Sequence, residues 1–391
     1  MRPHAPQHSN SPNQSAGLYV HIPFCRSKCR YCDFYSIADL SRLADYLAAL
    51  QKEMQFAAQY HARADTLYVG GGTPSLLQPS QMGDIVDWAA DHLNLTFGAE
   101  ITLEVNPATV TARDLADFAA AGVNRLNIGV QSFNDLHLGF LGRRHTAKQA
   151  LAAVQAGQDA GFNNIGLDLI FGLPHQSTAD WQSDLLQAIR LSPKHLSCYI
   201  LTYEPGTRLH FDLRAGCFSA LPDRRIADLF RLTHGLLNAA GYEHYEISNY
   251  AKANGWRSKH NEKYWNFAPY FGFGPSAHSY FPPVRWWNHG TLESYLGAVQ
   301  KGHQPKHGEE RLSDEQQMME MLFLGLRQSG GIEFEQFQKR FFADFRRYFH
   351  SALERFLSKK WVDMNDRRCC LTAEGMLFVD RIVDELVDMI N

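Results

Sequence analysis

The chain has 391 residues, 45% of them hydrophobic, and a formal net charge of −3 at pH 7. That length and apolar content suffice for one large domain and a smaller one. The near-neutral charge argues against nucleic acid as the main partner. The sequence contains no continuous run of about 18 apolar residues, so a membrane-spanning helix is not expected.

Residues 1–15 are polar, rich in Pro, Ser, Asn and Gln, and lack the apolar segment of a signal peptide. They predict a disordered N-terminal tail. The seven cysteines are few and odd in number, which is typical of a reducing compartment. We therefore expect a cytoplasmic protein.

From residue 17 onward, short β-like runs alternate with amphipathic, helix-like stretches. The runs cover 17–21, 65–69, 100–105, 125–130, 164–170 and 196–201, and the stretches cover 40–60, 81–93, 111–121, 146–160 and 178–191. Such alternation predicts a parallel sheet, either open and doubly wound or a partial (β/α)6 barrel. Polar motifs lie at the ends of nearly all the runs, where parallel barrels gather their active-site residues. We therefore predict an α/β fold with a partial (β/α)6 barrel.

The first run leads into a cysteine-rich loop, His21-Ile-Pro-Phe-Cys25-Arg-Ser-Lys-Cys29-Arg-Tyr-Cys32-Asp-Phe34. Its C-x3-C-x2-C spacing allows three thiolates to bind one iron–sulfur cluster. A [4Fe–4S] cubane held by three cysteines leaves one iron open to an exchangeable ligand. The spacing alone also leaves open a zinc site with His21 as fourth ligand, a disulfide, or buried free thiols.

The sequence after residue 240 lacks the strand–helix alternation of the first part. Residues 240–290 are rich in aromatic residues, Gly and His without a simple period, which predicts a loop-rich region, and 303–313 read as a linker. Three helix-like stretches and a strand–turn–strand at 361–372 then predict a small winged-helix-like unit. We place the barrel domain at 16–305 and the C-terminal domain at 306–391.

A winged helix often binds DNA, but this hairpin mixes charges of both signs. Asp363 and Asp366 stand beside Arg367 and Arg368, so no clear basic surface faces phosphate. We expect a lid or an interaction module rather than a nucleic-acid-binding domain.

The cysteine spacing, Phe34 after the third cysteine, and the later Gly70-Gly71-Gly72-Thr73-Pro74 together resemble the radical S-adenosylmethionine (SAM) superfamily. In that superfamily the open iron binds SAM, and one electron splits SAM into methionine and a 5'-deoxyadenosyl radical. The resemblance implies a [4Fe–4S] cluster on Cys25, Cys29 and Cys32, SAM beside it, and an electron donor as a partner.

Segments 19–25, 70–74, 104–107, 129–133 and 168–174 resemble the oxygen-independent coproporphyrinogen III oxidase family, and the likeness spans roughly residues 17–380. By this resemblance, Tyr19, Gly71 and Glu104 would hold the SAM on the cluster. Contacts to a second SAM would correspond to Phe34, Gly72, Thr73, Gln131, Arg143 and Asp168.

Two features depart from the oxidase. Only 24 residues precede Cys25, where the oxidase has a longer enclosing segment, and Phe34 stands where the oxidase has a further cysteine. By contrast, His260-Asn261-Glu-Lys-Tyr264-Trp265 matches the His-Asn-x-x-Tyr-Trp signature of the family's heme chaperone branch. That resemblance implies iron ligation by His260 and heme contact by Asn261, Tyr264 and Trp265, although a histidine in an aromatic region is by itself more often structural.

We therefore expect a heme chaperone that binds heme and passes it to acceptor hemoproteins, with peripheral membrane contact left open. The alternative is the oxidase itself, an enzyme that would convert two propionates of coproporphyrinogen III to vinyl groups. The sequence does not decide whether SAM is cleaved.

Overall fold

The structure, a computed structural model, describes residues 15–253 and 255–390. The predicted N-terminal tail, residues 1–15, therefore lies outside the described residues except for Ser15. The Ser15 carbonyl accepts a hydrogen bond from Lys263 Nζ at 2.7 Å.

One large sheet forms the centre of the molecule. Its strands are β1 Ala16–Ile22, β2 Ala64–Gly71, β3 Leu95–Val105, β4 Arg125–Gln131, β5 Ile165–Phe171, β6 His195–Ile200, β7 Glu243–His244, β8 Asn249–Ala251, β9 Tyr270–Phe273, β10 His278–Phe281, β11 Val284–Asn288 and β12 Lys306–Arg311. Strands β1 to β6 pair in parallel and in chain order. The antiparallel pair β8–β7 extends the sheet beyond β6, and β9 to β12 extend it beyond β1. The predicted partial (β/α)6 barrel is confirmed.

Helices follow the parallel strands and most of them pack on one face of the sheet, whereas Lys259–Trp265 contacts interior-facing residues of β1 and β2. In this part of the chain they are α1 Leu43–Ala57, α2 Pro79–Leu93, α3 Ala112–Ala120, α4 Asp135–Leu141, α5 Ala147–Asp159, α6 Thr178–Arg190, α7 Arg208–Arg214, α8 Asp223–Ala239, α9 Lys259–Trp265 and α10 Leu292–Gln300. Several begin at capping boxes, such as Thr111 with Asp114 and Ser177 with Asp180. These pairs satisfy backbone N–H groups that have no partner inside the helix.

Along their central residues, side chains of the parallel strands alternate between the two faces of the sheet. Residues such as Leu67 and Val69 in β2, or Leu126 and Ile128 in β4, are fully buried against the helices and form the main core. The intervening residues face the barrel interior and are polar or glycine, for example Thr66, which lies directly opposite Gly17. Because side chains alternate with a period of two, the pairing register of the strands determines both which residues form the apolar core and which face the polar interior.

Two predictions for the region after residue 240 are wrong. The loop-rich interpretation of 240–290 fails because this region contains α9 and five strands, β7 to β11. The linker interpretation of 303–313 fails because β12 pairs antiparallel with β11 across that segment. The division of the chain into domains at 305/306 stays a prediction.

The C-terminal unit follows β12. Its elements are α11 Asp314–Gly325, β13 Ile332–Glu333, α12 Phe334–Phe341, α13 Phe345–Tyr348, α14 His350–Ser358, β14 Val362–Met364, β15 Arg368–Leu371, α15 Ala373–Met376 and α16 Val379–Val387. The three strands form an antiparallel sheet in the order β13-β15-β14. Helices and a small hairpin are thus present, and the winged-helix likeness stays a prediction.

Among the described residues, no helix combines the length and apolarity needed to cross a membrane.

Candidate functional site

The cysteine loop leaves the carboxyl end of β1 and is held by backbone hydrogen bonds. The Cys25 N–H donates to the Ile37 carbonyl at 2.9 Å, and the Ile37 N–H donates to the Pro23 carbonyl at 2.8 Å. All three cysteines are unpaired; Cys25 is buried, and Cys29 and Cys32 are partly buried. Burial raises the pKa of the Cys32 thiol to about 11, so binding a metal there releases a proton.

The glycine-rich turn after β2 packs directly on this loop. The Gly72 N–H donates to the Ile22 carbonyl, and the Thr73 N–H donates to the Phe24 carbonyl, each at 2.8 Å. The buried Thr73 hydroxyl lies 3.3 Å from Cys25 Sγ and donates to it. The two sequence motifs thus form one structural unit.

A second donor reaches the loop from the segment after α4. Arg143 Nη1 lies 3.6 Å from Cys29 Sγ, and its Nη2 donates to the Gly129 carbonyl at 2.7 Å. Arg143 Nε is buried and has no hydrogen-bond partner among the described residues. The neighbouring Gln131 is buried and has a φ of 66°, a left-handed conformation that is strained for a residue other than glycine. Arg143 and Gln131 thus both lie beside Gly129, and the SAM contacts that the resemblance implies for them stay a prediction.

These residues fit a cubane cluster better than a single metal ion. Within the described ranges, no group of three or more His, Cys, Asp or Glu side chains is arranged to hold one ion. His21, the fourth ligand of the zinc alternative, has Nδ1 at 3.1 Å from the Tyr19 hydroxyl and Nε2 at 2.9 Å from the Tyr35 carbonyl. A cubane offers a different iron to each cysteine, so its ligands lie farther apart than those of one ion.

Glu104 is the centre of the second group of predicted site residues. Its Oε1 accepts a hydrogen bond from the Tyr68 hydroxyl at 2.8 Å, and its Oε2 accepts one from the Gly71 N–H at 3.2 Å. Burial raises the pKa of Glu104 to about 7. Tyr19 lies beside Tyr68 with ring centroids 6.2 Å apart. The structure thus brings Tyr19, Gly71 and Glu104 together, as predicted from the resemblance.

Asp168 lies on β5 and faces the barrel interior, as Glu104 does on β3. Its Oδ2 accepts a hydrogen bond from Asn127 Nδ2 at 2.7 Å, while its Oδ1 is buried without a partner in the described part of the chain. Burial raises the pKa of Asp168 to about 6. A buried oxygen without a donor is what a polar ligand would satisfy. Phe34, by contrast, is 59% exposed at the outer side of the cysteine loop.

His260 lies elsewhere, among the first residues of the barrel strands. Helix α9 carries it into the interior, where it is 1% exposed. Its Nδ1 lies 2.9 Å from Thr66 Oγ1, and its Nε2 lies 2.8 Å from the Tyr264 hydroxyl. Burial lowers the pKa of His260 to about 3, assisted by the nearby charge of Arg125. His260 is therefore neutral, and both ring nitrogens already have partners.

The remaining residues of the motif lie around this histidine. Asn261 occupies the first turn of α9, where its N–H donates to the Ser258 side chain at 3.3 Å. Trp265 is partly buried, and its carbonyl accepts a hydrogen bond from Gln328 Nε2 at 3.1 Å. The Trp265 indole nitrogen is buried and has no partner within residues 15–253 and 255–390. The motif thus lies at the opposite end of the barrel from the cysteines.

Sequence reasoning missed Tyr68, Asn127 and the buried Arg125. The alternation of polar and apolar residues along β2 and β4 could have identified them, because it marks the positions that face the barrel interior. Arg125 and Asn127 precede Gly129 at every second position of β4, on the interior face.

Comparison with known proteins agrees with these motifs. The family model described as "Radical SAM superfamily" matches residues 19–187, and the one described as "HemN C-terminal domain" matches residues 312–378. "Heme chaperone HemW" of Bacillus subtilis is 34% identical over 368 residues, which cover 93% of this chain and 97% of that protein. The chain belongs to the HemW family of the radical SAM superfamily.

Other HemW-family relatives include "Heme chaperone HemW" of Escherichia coli, 44% identical over 67% of this chain and 69% of that protein. "Radical S-adenosyl methionine domain-containing protein 1, mitochondrial" of Danio rerio is 33% identical over 95% of this chain and 87% of its own length. A solved structure of coproporphyrinogen III oxidase (HemN) from Escherichia coli, a radical SAM enzyme, has a TM-score of 0.83. It is 22% identical and covers 97% of this chain and 91% of that chain, which confirms the fold. Membership in the superfamily implies a [4Fe–4S] cluster and SAM.

Proposed function

We propose that this HemW-family protein is a heme chaperone that binds heme and transfers it to acceptor hemoproteins. The observation that carries the proposal is the His-Asn-x-x-Tyr-Trp motif on α9 in a chain whose relatives named as heme chaperones match along nearly its full length. The oxidase alternative is not favoured, because its likeness to this chain extends to the fold alone.

Cys25, Cys29 and Cys32 would hold the [4Fe–4S] cluster, and Tyr19, Gly71 and Glu104 would hold SAM at its open iron. When bound, the cluster and SAM supply one-electron chemistry. The residues of this chain supply the surroundings: Thr73 and Arg143 donate to the cysteine sulfurs, and the buried carboxyl of Glu104 accepts donors. The contacts inferred for a second SAM, from Phe34, Gly72, Thr73, Gln131, Arg143 and Asp168, belong to the same proposal.

His260 would ligate heme iron, with Asn261, Tyr264 and Trp265 as further heme contacts. Since the Tyr264 hydroxyl lies 2.8 Å from His260 Nε2, iron can bind that nitrogen only after Tyr264 turns away. The state described here is then a closed one. An electron donor, cytoplasmic location and peripheral membrane contact stay predictions.

The test compares the two functions on one preparation. Protein with a reconstituted cluster is incubated anaerobically with SAM and coproporphyrinogen III, and in parallel is titrated with hemin. The proposal expects saturable hemin binding without catalytic formation of protoporphyrinogen IX; turnover would assign the protein to the oxidase instead. His260→Ala should change the hemin spectrum, whereas His244→Ala, a buried histidine outside the motif, should not.

A further inference from the structure

Tyr68 contacts key residues of both proposed sites, Glu104 for SAM and His260 for heme. Its hydroxyl donates to Glu104 Oε1 at 2.8 Å. Its ring stacks on the His260 ring, with centroids 5.1 Å apart and planes 29° from parallel. Tyr68 is 9% exposed, so it occupies the interior between the two ends of the barrel.

The packing around this contact leaves little space for independent movement. A methyl group placed on Gly70 would lie 2.9 Å from Tyr68 Cε1 and 3.0 Å from Glu104 Oε1. One placed on Gly17 would lie 3.2 Å from His260 Cε1 and Nδ1. Close-packed interiors have few voids, so when the Glu104 carboxylate moves, the Tyr68 ring must move with it.

His260 is held in place by further contacts besides the Tyr68 ring. Thr66 and Tyr264 engage its two ring nitrogens, and its backbone N–H donates to Glu100 Oε1 at 3.3 Å. The Tyr264 ring also packs edge-on against Tyr270, with centroids 4.7 Å apart. A change in the position of the His260 ring therefore has to displace the Tyr264 hydroxyl, which covers Nε2.

We propose that Tyr68 is a positioning residue shared by the two sites: its hydroxyl occupies Glu104 until SAM binds, and its ring holds His260 in the closed state. The role of His260 rests on the proposed function above. When SAM donates hydrogen bonds to Glu104, it competes with the Tyr68 hydroxyl, the Tyr68 ring shifts, and Tyr264 releases His260. By linkage, heme binding then raises the affinity for SAM by the same factor.

The first test measures hemin affinity with and without saturating SAM, in the anaerobic full-length protein with its cluster. In the wild type we expect SAM to tighten hemin binding by about fivefold or more, the lower range of measured allosteric couplings. Tyr68→Phe keeps the ring and loses the bond to Glu104, so the effect of SAM should fall below about twofold. Tyr242→Phe is the matched control, because the buried Tyr242 hydroxyl donates to the Pro193 carbonyl at 2.8 Å, outside this contact.

The proposal would be overturned if SAM tightened hemin binding as much in Tyr68→Phe as in the wild type. It would also be overturned if SAM did not change the hemin affinity of the wild type.

The second test needs neither heme nor a variant. It measures hydrogen exchange of the α9 amides with and without SAM. We expect SAM to accelerate exchange over 259–265, and unchanged exchange would overturn the proposal. A protein that binds no hemin but shows this acceleration would refute the proposed function and support the contact through Tyr68.

Discussion

The sulfur atoms of Cys25 and Cys29 already accept hydrogen bonds from neighbouring side chains, Thr73 at 3.3 Å and Arg143 at 3.6 Å. Hydrogen bonds to ligand sulfurs stabilise their negative charge and tune the reduction potential of a cluster. The two donors thus face sulfur atoms that the proposed cluster would use as ligands. Both donors come from segments far away in sequence, so the barrel fold itself assembles the site.

Replacing any one of Cys25, Cys29 and Cys32 by Ala should remove the cluster, since the motif supplies only these three cysteine ligands. We expect loss of the broad visible absorbance and of most bound iron and sulfide after reconstitution. Cys198→Ala serves as the control, because Cys198 is buried in the core on β6. A Cys29 variant with full iron and sulfide content would refute the assignment.

Gly72 has no room for a side chain. An added methyl group would lie 2.7 Å from the Phe24 carbonyl oxygen, 2.9 Å from that of Ile22, and 3.1 Å from Cys25 Sγ. Gly72→Ala should therefore push the glycine-rich turn off the cysteine loop, at a cost of about 1–3 kcal/mol in unfolding free energy, and impair cluster loading.

Denaturant unfolding and iron content measure these two effects. Gly235→Ala is the control, since a methyl group on Gly235 in α8 would meet nothing within 4 Å. If both variants load iron equally well, the tight packing at Gly72 has no role in the site.

At the scale of elements, the sequence predicted the six parallel strands well, because each combines a strong apolar face with flanking helices. It failed from residue 240 to 311, where the strands are short and pair with distant segments. For example, β9 pairs with β1 through residues such as Gly272 and Tyr19. Strand pairing of this kind depends on tertiary context, which local propensity does not contain. Helices α4, α7 and α8 were also not singled out.

The short helix α7 is attached to the cysteine loop by Arg30, which lies between two of the cysteines. Arg30 Nη2 pairs with Asp212 at 2.7 Å, its Nη1 donates to the Phe140 carbonyl at 3.0 Å, and its carbonyl accepts from the Leu209 N–H at 2.9 Å. The segment that carries Cys29 and Cys32 is thereby fixed between α4 and α7.

Arg30→Ala should loosen this segment and expose the cluster to oxidant. We expect severalfold faster bleaching of the reconstituted cluster in air. Arg208→Ala is a matched control, because Arg208 also pairs with Asp212 at 2.9 Å but is exposed to solvent. Equal bleaching rates in the two variants and the wild type would show that the ion pair does not protect the cluster.

At the scale of the whole molecule, the two proposed sites occupy opposite ends of one polar barrel interior. The motifs indicated candidate residues for each proposed site, because their spacing is local, and the assignment of those residues to SAM and to heme stays a prediction. They did not predict that His260 points inward onto Tyr68, since that depends on where α9 packs. The barrel interior also brings Glu104, Asp168 and Arg125 close together. Their proximity depends on the tertiary fold and could not be read from the sequence pattern.

This interior predicts an unusual pH dependence of stability. Burial raises the pKa values of Glu104 and Glu246 to about 7 and that of Asp168 to about 6. Each of these carboxyls therefore binds more protons in the folded protein than in the unfolded chain between its ordinary pKa and its raised one. Its stabilising contribution is full below this window and is lost as pH rises through it, whereas buried histidines with lowered pKa values, such as His260 at about 3, contribute with the opposite sign.

We expect the ionisation of each raised carboxyl to cost the cluster-free protein on the order of 1–3 kcal/mol between pH 5 and 8. Urea unfolding of the wild type and of Glu104→Gln across this range isolates the contribution of Glu104, so the stability of the wild type relative to that variant should fall as pH rises. A stability difference between the two proteins that stays constant or grows from pH 5 to 8 would contradict the prediction.

The proposed delivery of heme to an acceptor hemoprotein is tested most directly by measuring the transfer itself. Hemin-loaded protein is mixed with the heme-free form of a hemoprotein from the same organism, either in one chamber or across a dialysis membrane. We predict fast appearance of the acceptor's heme spectrum in one chamber, slow appearance across the membrane, and loss of this difference in His260→Ala. Equal rates in both arrangements would mean passive release of heme and would contradict a chaperone function.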